Sequence, residues 1–321
     1  MQRLTALLAG TLSMLAGTLA LLATTLGHAD AETLYQPTAE PVTDSVYAII
    51  GPTDARTYEN HGMNANYGVI VTDEGVILID SGPGAFSGPN IERAVAAVSD
   101  QPIRWVINIG VQDHRWLGND YFKKQGAEVI AFEATVESQK AFADQHMEGR
   151  LPEALGERFE GTQPAYADRL LEGDTASITL GGTELELSLT NAHFPGDAMA
   201  YLPQSDVVFT GDLVYVDRLL GIHPWSNPKN GLEAFARLDA IDPDHVVPGH
   251  GRVSDMERAR RDSGDYYDFL VNTIGEAARN FEAMSEVMNA HQDMEQFKHL
   301  EHYDSWHGTN MNRTFILFEG M

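Results

Sequence analysis

VINIGVQDHRWLGND, residues 106–120, decides how the rest of the chain is read. A β-branched apolar run ends in a glycine-containing loop, and Asp113 and His114 follow it side by side. A carboxylate next to an imidazole at the end of a buried strand suits a divalent cation. Upstream of that pair, where a site for two cations would want further imidazoles, stand Ile109 and Val111 instead. The stretch therefore reads as a metal-binding loop that has kept only half of its donors.

Working outward, short β-branched runs recur with Gly, Asp or Pro at their ends. They include SVYAIIG (45–51), NYGVIVT (66–72), GVILIDSG (75–82), IRWVINIG (103–110) and AEVIAF (127–132). ASITL (176–180), TELELSLT (183–190), MAYL (199–202), DVVFTGD (206–212) and HVVPGH (245–250) continue the series. The pair around Asp73-Glu74-Gly75 predicts a hairpin. TELELSLT alternates, as a strand with one wet face does, whereas VVFTG and VINIG predict burial on both faces. Helical patterns fall between the strands at 89–99, 116–125, 134–147 and 231–241. From Ser254 to His299 the strand signal stops and amphipathic helices with acidic outer faces are predicted. The closing segment, HYDSWHGTNMNRTFILFEGM, predicts one more strand or extended arm. The fold class is α/β, with helices outside and sheets within.

The chain has 321 residues and no cysteine, so disulfides and thiolate ligands are excluded and any metal must be held by His and carboxylates. Against 21 Lys+Arg stand 47 Asp+Glu, a formal charge of −26 that repels nucleic acid and anionic membrane surfaces. Residues 1–31 carry Arg3, a long Leu/Ala/Thr-rich stretch and a small-x-small site at Ala29-Asp30-Ala31. That is the layout of a signal peptide cleaved before Glu32, with an uncleaved anchor as the alternative. The domain reading is thus a signal peptide at 1–31, a main domain at 32–253, and a helical extension at 254–321 packed on it. The expected location is periplasmic or secreted, without stable membrane association after cleavage.

Four polar clusters follow directly on strands predicted to be buried: Asp113-His114, His193 in NAHFPGD, Asp212 in TGDLVY, and His250 in PGHG. Groups at the ends of neighbouring core strands converge on one sheet edge. Any one of these motifs alone is a common turn or cap. Four of them, each after a core strand, point to a site.

The order DSG (80–82), Q-D-H (112–114), N-A-H-F-P-G-D (191–197), F-T-G-D (209–212) and V-P-G-H-G (247–251) resembles the metallo-β-lactamase superfamily. The likeness runs from about Val42 to Val253. The stretch from Arg218 through GLEAFARLDAIDPDHVVPGHG, with the ending NMNRTFILFE, resembles a secreted branch that includes quinoprotein-relay-type zinc metallohydrolases. The resemblance implies a four-layer αββα sandwich with a hydrolytic metal site at one edge. The family writes T-H-x-H-x-D-H where this chain has Ile109 and Val111, so the first-metal motif is degenerate. The second-metal set is Asp113, His114 and His250 with Asp212, and His193 is the remaining first-metal ligand. One Zn²⁺ is expected, with Fe or Mn as alternatives.

The reading that follows is a mononuclear hydrolase acting on a small ester, lactone, lactam or thioester-like substrate. In it Asp113 and the ion do the chemistry, His193 is general base or oxyanion donor, and Asp80 orients a ligating His. Arg218 and His61 are candidate substrate contacts on rim loops. The alternative is a catalytically weak or inactive binding or accessory protein that keeps the fold. No G-x-S-x-G elbow or G-x-G-x-x-G fingerprint is present, which sets aside serine hydrolases and dinucleotide binders. His146, His291 and His299 fall on helical faces and are read as solvated.

Overall fold

The computed structural model describes residues 34–321, and the predicted signal peptide lies outside them. Among the described residues no helix is long and apolar enough to cross a membrane.

The first sheet has seven strands in sequence order: β1 (Ala39–Pro41), β2 (Val46–Ile49), β3 (Tyr67–Thr72), β4 (Gly75–Ile79), β5 (Ile103–Ile107), β6 (Glu128–Phe132) and β7 (Arg169–Leu171). Its first half is antiparallel, built on the predicted hairpin that pairs Thr72 with Gly75. From β4 onward the pairing is parallel. Parallel neighbours need crossovers, and the helices that make them lie between these strands. They are α1 (Gly88–Ala96), α2 (Asp113–Trp116), α3 (Asn119–Lys124), α4 (Glu133–Glu148) and α5 (Arg150–Leu155).

The second sheet holds β8 (Thr175–Leu180), β9 (Thr183–Leu189), β10 (Ala198–Leu202), β11 (Val207–Phe209) and β12 (His245–Val247), in the order β12-β11-β10-β9-β8. β8 to β11 form an antiparallel meander. β12 joins β11 in parallel after the crossover helix α6 (Pro228–Ile241).

Three apolar clusters fix the layers. Ile70, Ile77, Ile107 and Ile130 of the first sheet meet Leu185, Leu187, Ala200 and Phe209 of the second. On the far side of the first sheet, Val69, Leu78 and Val106 pack on Ile91, Val95 and Phe122 of the helices. On the far side of the second, Val208 and Val246 pack on α6 and the C-terminal helices. The result is the four-layer αββα sandwich the sequence predicts. β4 is buried along its whole length because it has a layer on each face.

The C-terminal segment is helical. α7 (Met256–Ala259), α8 (Asp265–Phe269) and α9 (Glu276–Arg279) are joined by π-helical turns at Arg260–Gly264 and Leu270–Gly275. α10 (Met284–His291) and α11 (Tyr303–Glu319) follow. The last of these corrects the sequence reading of a strand or extended arm. Tyr303, His307, Met311, Phe315 and Phe318 recur at helical spacing and are all buried.

Candidate metal centre and its arginines

Each polar cluster sits where a core strand ends, all at one edge of the sandwich. After β12 the chain turns through Gly249-His250-Gly251. A Cβ on Gly249 would lie 2.4 Å from the Gly211 carbonyl, and one on Gly251 1.8 Å from the Val216 carbonyl, where φ is +91°. Only glycine lets these backbones come so close, and the close approach brings His250 against Asp212.

Asp212 is the centre of the arrangement and is 1% exposed. Arg115, equally buried, donates to both its oxygens: Nε to Oδ2 at 2.9 Å and Nη2 to Oδ1 at 2.5 Å. The same guanidinium donates Nη1 to Asp80 Oδ2 at 3.0 Å and reaches the carbonyls of Asn66 and Gly249, both at 3.3 Å. Burial alone would raise the Asp212 carboxyl. Arg115's charge and hydrogen bonds outweigh burial, and the carboxyl lies well below the usual range. Asp80 goes the other way, pushed up to about 6 by burial against the pull of Arg115. Asp80 Oδ1 also accepts from the Ile109 amide at 2.9 Å, so its partners are Arg115 and the loop backbone rather than an imidazole.

His114 and His250 close on Asp212 from the other side. Their Nε2 atoms lie 3.9 Å from Oδ2 and 3.2 Å from Oδ1, and one donor atom from each of the three residues falls within 4.8 Å of the others. Both Nε2 atoms are buried and have no hydrogen-bond partner. Nδ1 of His250 donates to the Asn64 carbonyl at 2.6 Å, which leaves its Nε2 as a bare lone pair facing a carboxylate oxygen. Burial, then the nearby Arg218, pushes His250 down to about 3, so no proton fills that gap near neutrality. The lone pair of His250 opposed to a carboxylate oxygen in a dry interior calls for a cation between them, and the donor set of two imidazoles and a carboxylate fits a borderline divalent ion.

Asp113 is not part of this cluster. Its Oδ1 is 2.7 Å from Arg56 Nη2, and Arg56 also contacts His114 Nδ1 at 2.9 Å. His193 is set apart as well: Nδ1 is 3.0 Å from the Gly221 carbonyl, and Nε2 is 3.2 Å from the side-chain amide of Gln112. The side chain that hydrogen-bonds His193 is therefore Gln112. Ile109 belongs to the core between the sheets, and the Val111 amide donates to Asp197. Arg218 lies 3.0 Å from His250 Nδ1 and stacks on Trp306, buried behind the cluster. His61 pairs with Arg158 instead of joining the cluster.

Arg56, Arg115 and Gln112 are functional candidates that the sequence reading passed over. One signal was present. Arg115 sits in H-R-W-L-G, in an otherwise apolar run after a core strand, and a cation placed there has to find a buried partner.

A cavity of about 500 Å³ opens beside the cluster. Arg56, Gln112, Asp113, Phe194, His223 and Trp225 line it. Trp306, Asn310 and Arg313 of α11 line it as well. His146 is another lining residue; it is 4% exposed rather than solvated, and neither of its ring nitrogens has a partner.

No protein-family model matches the chain, and no curated protein matches it. Solved structures do. The stereoselective inverting sec-alkylsulfatase Pisa1 from Pseudomonas sp. aligns with a TM-score of 0.70 at 18% identity, over 89% of this chain and 50% of that one. A metallo-β-lactamase from Pontibacter korlensis gives 0.53 at 24% identity, over 70% and 95%. The DIM-1 metallo-β-lactamase gives 0.56 at 14% identity, over 73% and 98%. This chain thus spans about half the length of the alkylsulfatase. The fold is that of the metallo-β-lactamase proteins, and a His/Asp/His cluster stands in it.

Proposed function

We propose that the chain is a metal-dependent hydrolase holding one ion at His114, Asp212 and His250. Its substrate is a small ester, lactone, lactam or thioester-like molecule. The observation that carries this reading is the pair of unpartnered Nε2 atoms turned toward Asp212. The ion, when bound, would acidify a coordinated water and polarise the substrate oxygen.

The chain's own groups prepare that role. Asn64 fixes the tautomer of His250, and Arg115 fixes both oxygens of Asp212. Arg56 holds Asp113 away, so the protein supplies three donors rather than four, the count of an open catalytic site rather than a closed structural one. His193 is kept neutral by burial, and its Nε2 is placed to accept a proton on the side Gln112 occupies. The leader-like residues 1–31 support a periplasmic or secreted location, and zinc is the ion this donor set favours.

Metal analysis of the purified protein tests the reading. About one equivalent of zinc, iron or manganese in the wild type, absent from His114→Ala/His250→Ala along with ester or lactone hydrolysis, is the expected result. A wild type that stays metal-free after dialysis against zinc would sink it.

One observation favours a second reading, a binding protein without hydrolysis. Arg56 pairs with Asp113, and Arg115 with Asp80 and Asp212, so each of these three carboxylates already has a cationic partner without an ion. The same metal measurement separates the two.

A further inference from the structure

The cavity beside the cluster is electrostatically at odds with the protein around it. The chain carries −26, yet the cavity lining holds Arg56, Arg150 and Arg313 against a single carboxylate, Asp113, already taken by Arg56. Arg150 is exposed at the start of α5, and Arg313 bonds the Ile222 carbonyl; neither has a carboxylate partner among the described residues. Arg252 and Arg258, by contrast, are both paired with Asp217.

The same lining holds an aromatic cluster. Phe194 and Trp225 have ring centroids 5.0 Å apart, His223 stacks on Trp225 at 5.2 Å, and Trp306 completes the lining. Two further lining groups are left without partners in the protein: the buried Nε1 of Trp225 and both nitrogens of His146. Buried polar atoms without partners are expected to meet them in a ligand.

We infer that this cavity binds a small amphiphilic anion. Its oxyanion group lies among Arg56, Arg150 and Arg313, and its apolar body lies against Phe194, Trp225 and Trp306. Guanidinium forks match carboxylate, sulfate and phosphate oxygens alike, while the indole faces take up the apolar part. This names the ligand class of the candidate site. It takes from the hydrolase reading only that this edge is the working edge, and it requires no ion.

The test uses the tryptophan fluorescence of the whole protein after EDTA treatment. Octanoate, octyl sulfate and octyl phosphate are titrated below their aggregation ranges, with octanol and octylammonium as controls. Saturable binding of at least one anion, with the controls weaker by about tenfold or more, is the expected result. Which anions bind identifies the head group. Arg150→Met/Arg313→Met should lose a similar factor for the anion and none for octanol, and Arg150→Glu, an exposed change, should show the loss alone if the double variant misfolds. Equal binding of octanol or octylammonium, or undiminished anion binding in the arginine variants, overturns the inference. Metal content measured on an untreated sample keeps the two readings apart. A metal-free protein that binds the anion ends the hydrolase proposal only, and a metal-loaded protein indifferent to anions ends this one only.

Discussion

At the scale of the residue, Arg115 governs the site through its hold on Asp212. A buried pair of this kind is costly to break because one charge is left without its partner. Asp212→Asn should therefore lose about 3–5 kcal/mol of stability in urea melts, and adding Arg115→Met should restore part of it. If the single change is silent, the pair is not the fixed unit described. His114, Asp212 and His250 were legible in the sequence because each follows a core strand, and strand ends converge. Arg56 and Arg115 were not, since a long side chain reaches its partner through tertiary packing that leaves no periodicity behind. The role of Gln112 was not legible for a related reason. The residue order puts Ile109 and Val111 in the expected positions, but the chain enters α2 with Gln112 turned to His193.

At the scale of the element, the strands and crossover helices followed from runs and breaks in hydrophobicity, and the sandwich followed from them. β1 and β7, three residues each, carry too short a pattern to announce themselves. The end of the chain misled for another reason. TFILF looks like a strand in isolation, but the buried face of α11 includes Asn310 and Thr314, polar residues that an apolar template skips. Asn310 is there to bond the Leu220 carbonyl and the Ile222 amide, tying the helix to the loop that follows Asp212. Phe315 is 2% exposed in the cluster under the second sheet, so Phe315→Ala should cost about 3–5 kcal/mol by thermal or urea denaturation. A loss under about 1 kcal/mol would mean the helix is not seated there.

At the scale of the whole molecule, acidity and buried imidazoles shape the response to pH. Burial, then the neighbouring His193 and Arg313, pushes His223 down to about 2, whereas in an unfolded chain it titrates near ~6.5. Below ~6.5 the unfolded state binds a proton that the folded state refuses, so this residue subtracts stability progressively as the pH falls toward 2. Above that value it has no effect. His223→Gln should flatten the fall of stability between pH ~6 and ~4 by up to about 1.4 kcal/mol per pH unit relative to wild type, read from urea melts at each pH. Parallel profiles for the two proteins would show that His223 is not shielded as described.

The lining that α11 contributes has a consequence for how the site comes into being. Trp306, Asn310 and Arg313 belong to α11, while His114, Asp212 and His250 all precede it. A chain trimmed ahead of Tyr303 would keep its candidate donors and lose one side of the recess next to them. A protease cutting between α10 and α11 would thereby act on whether the site can take a ligand.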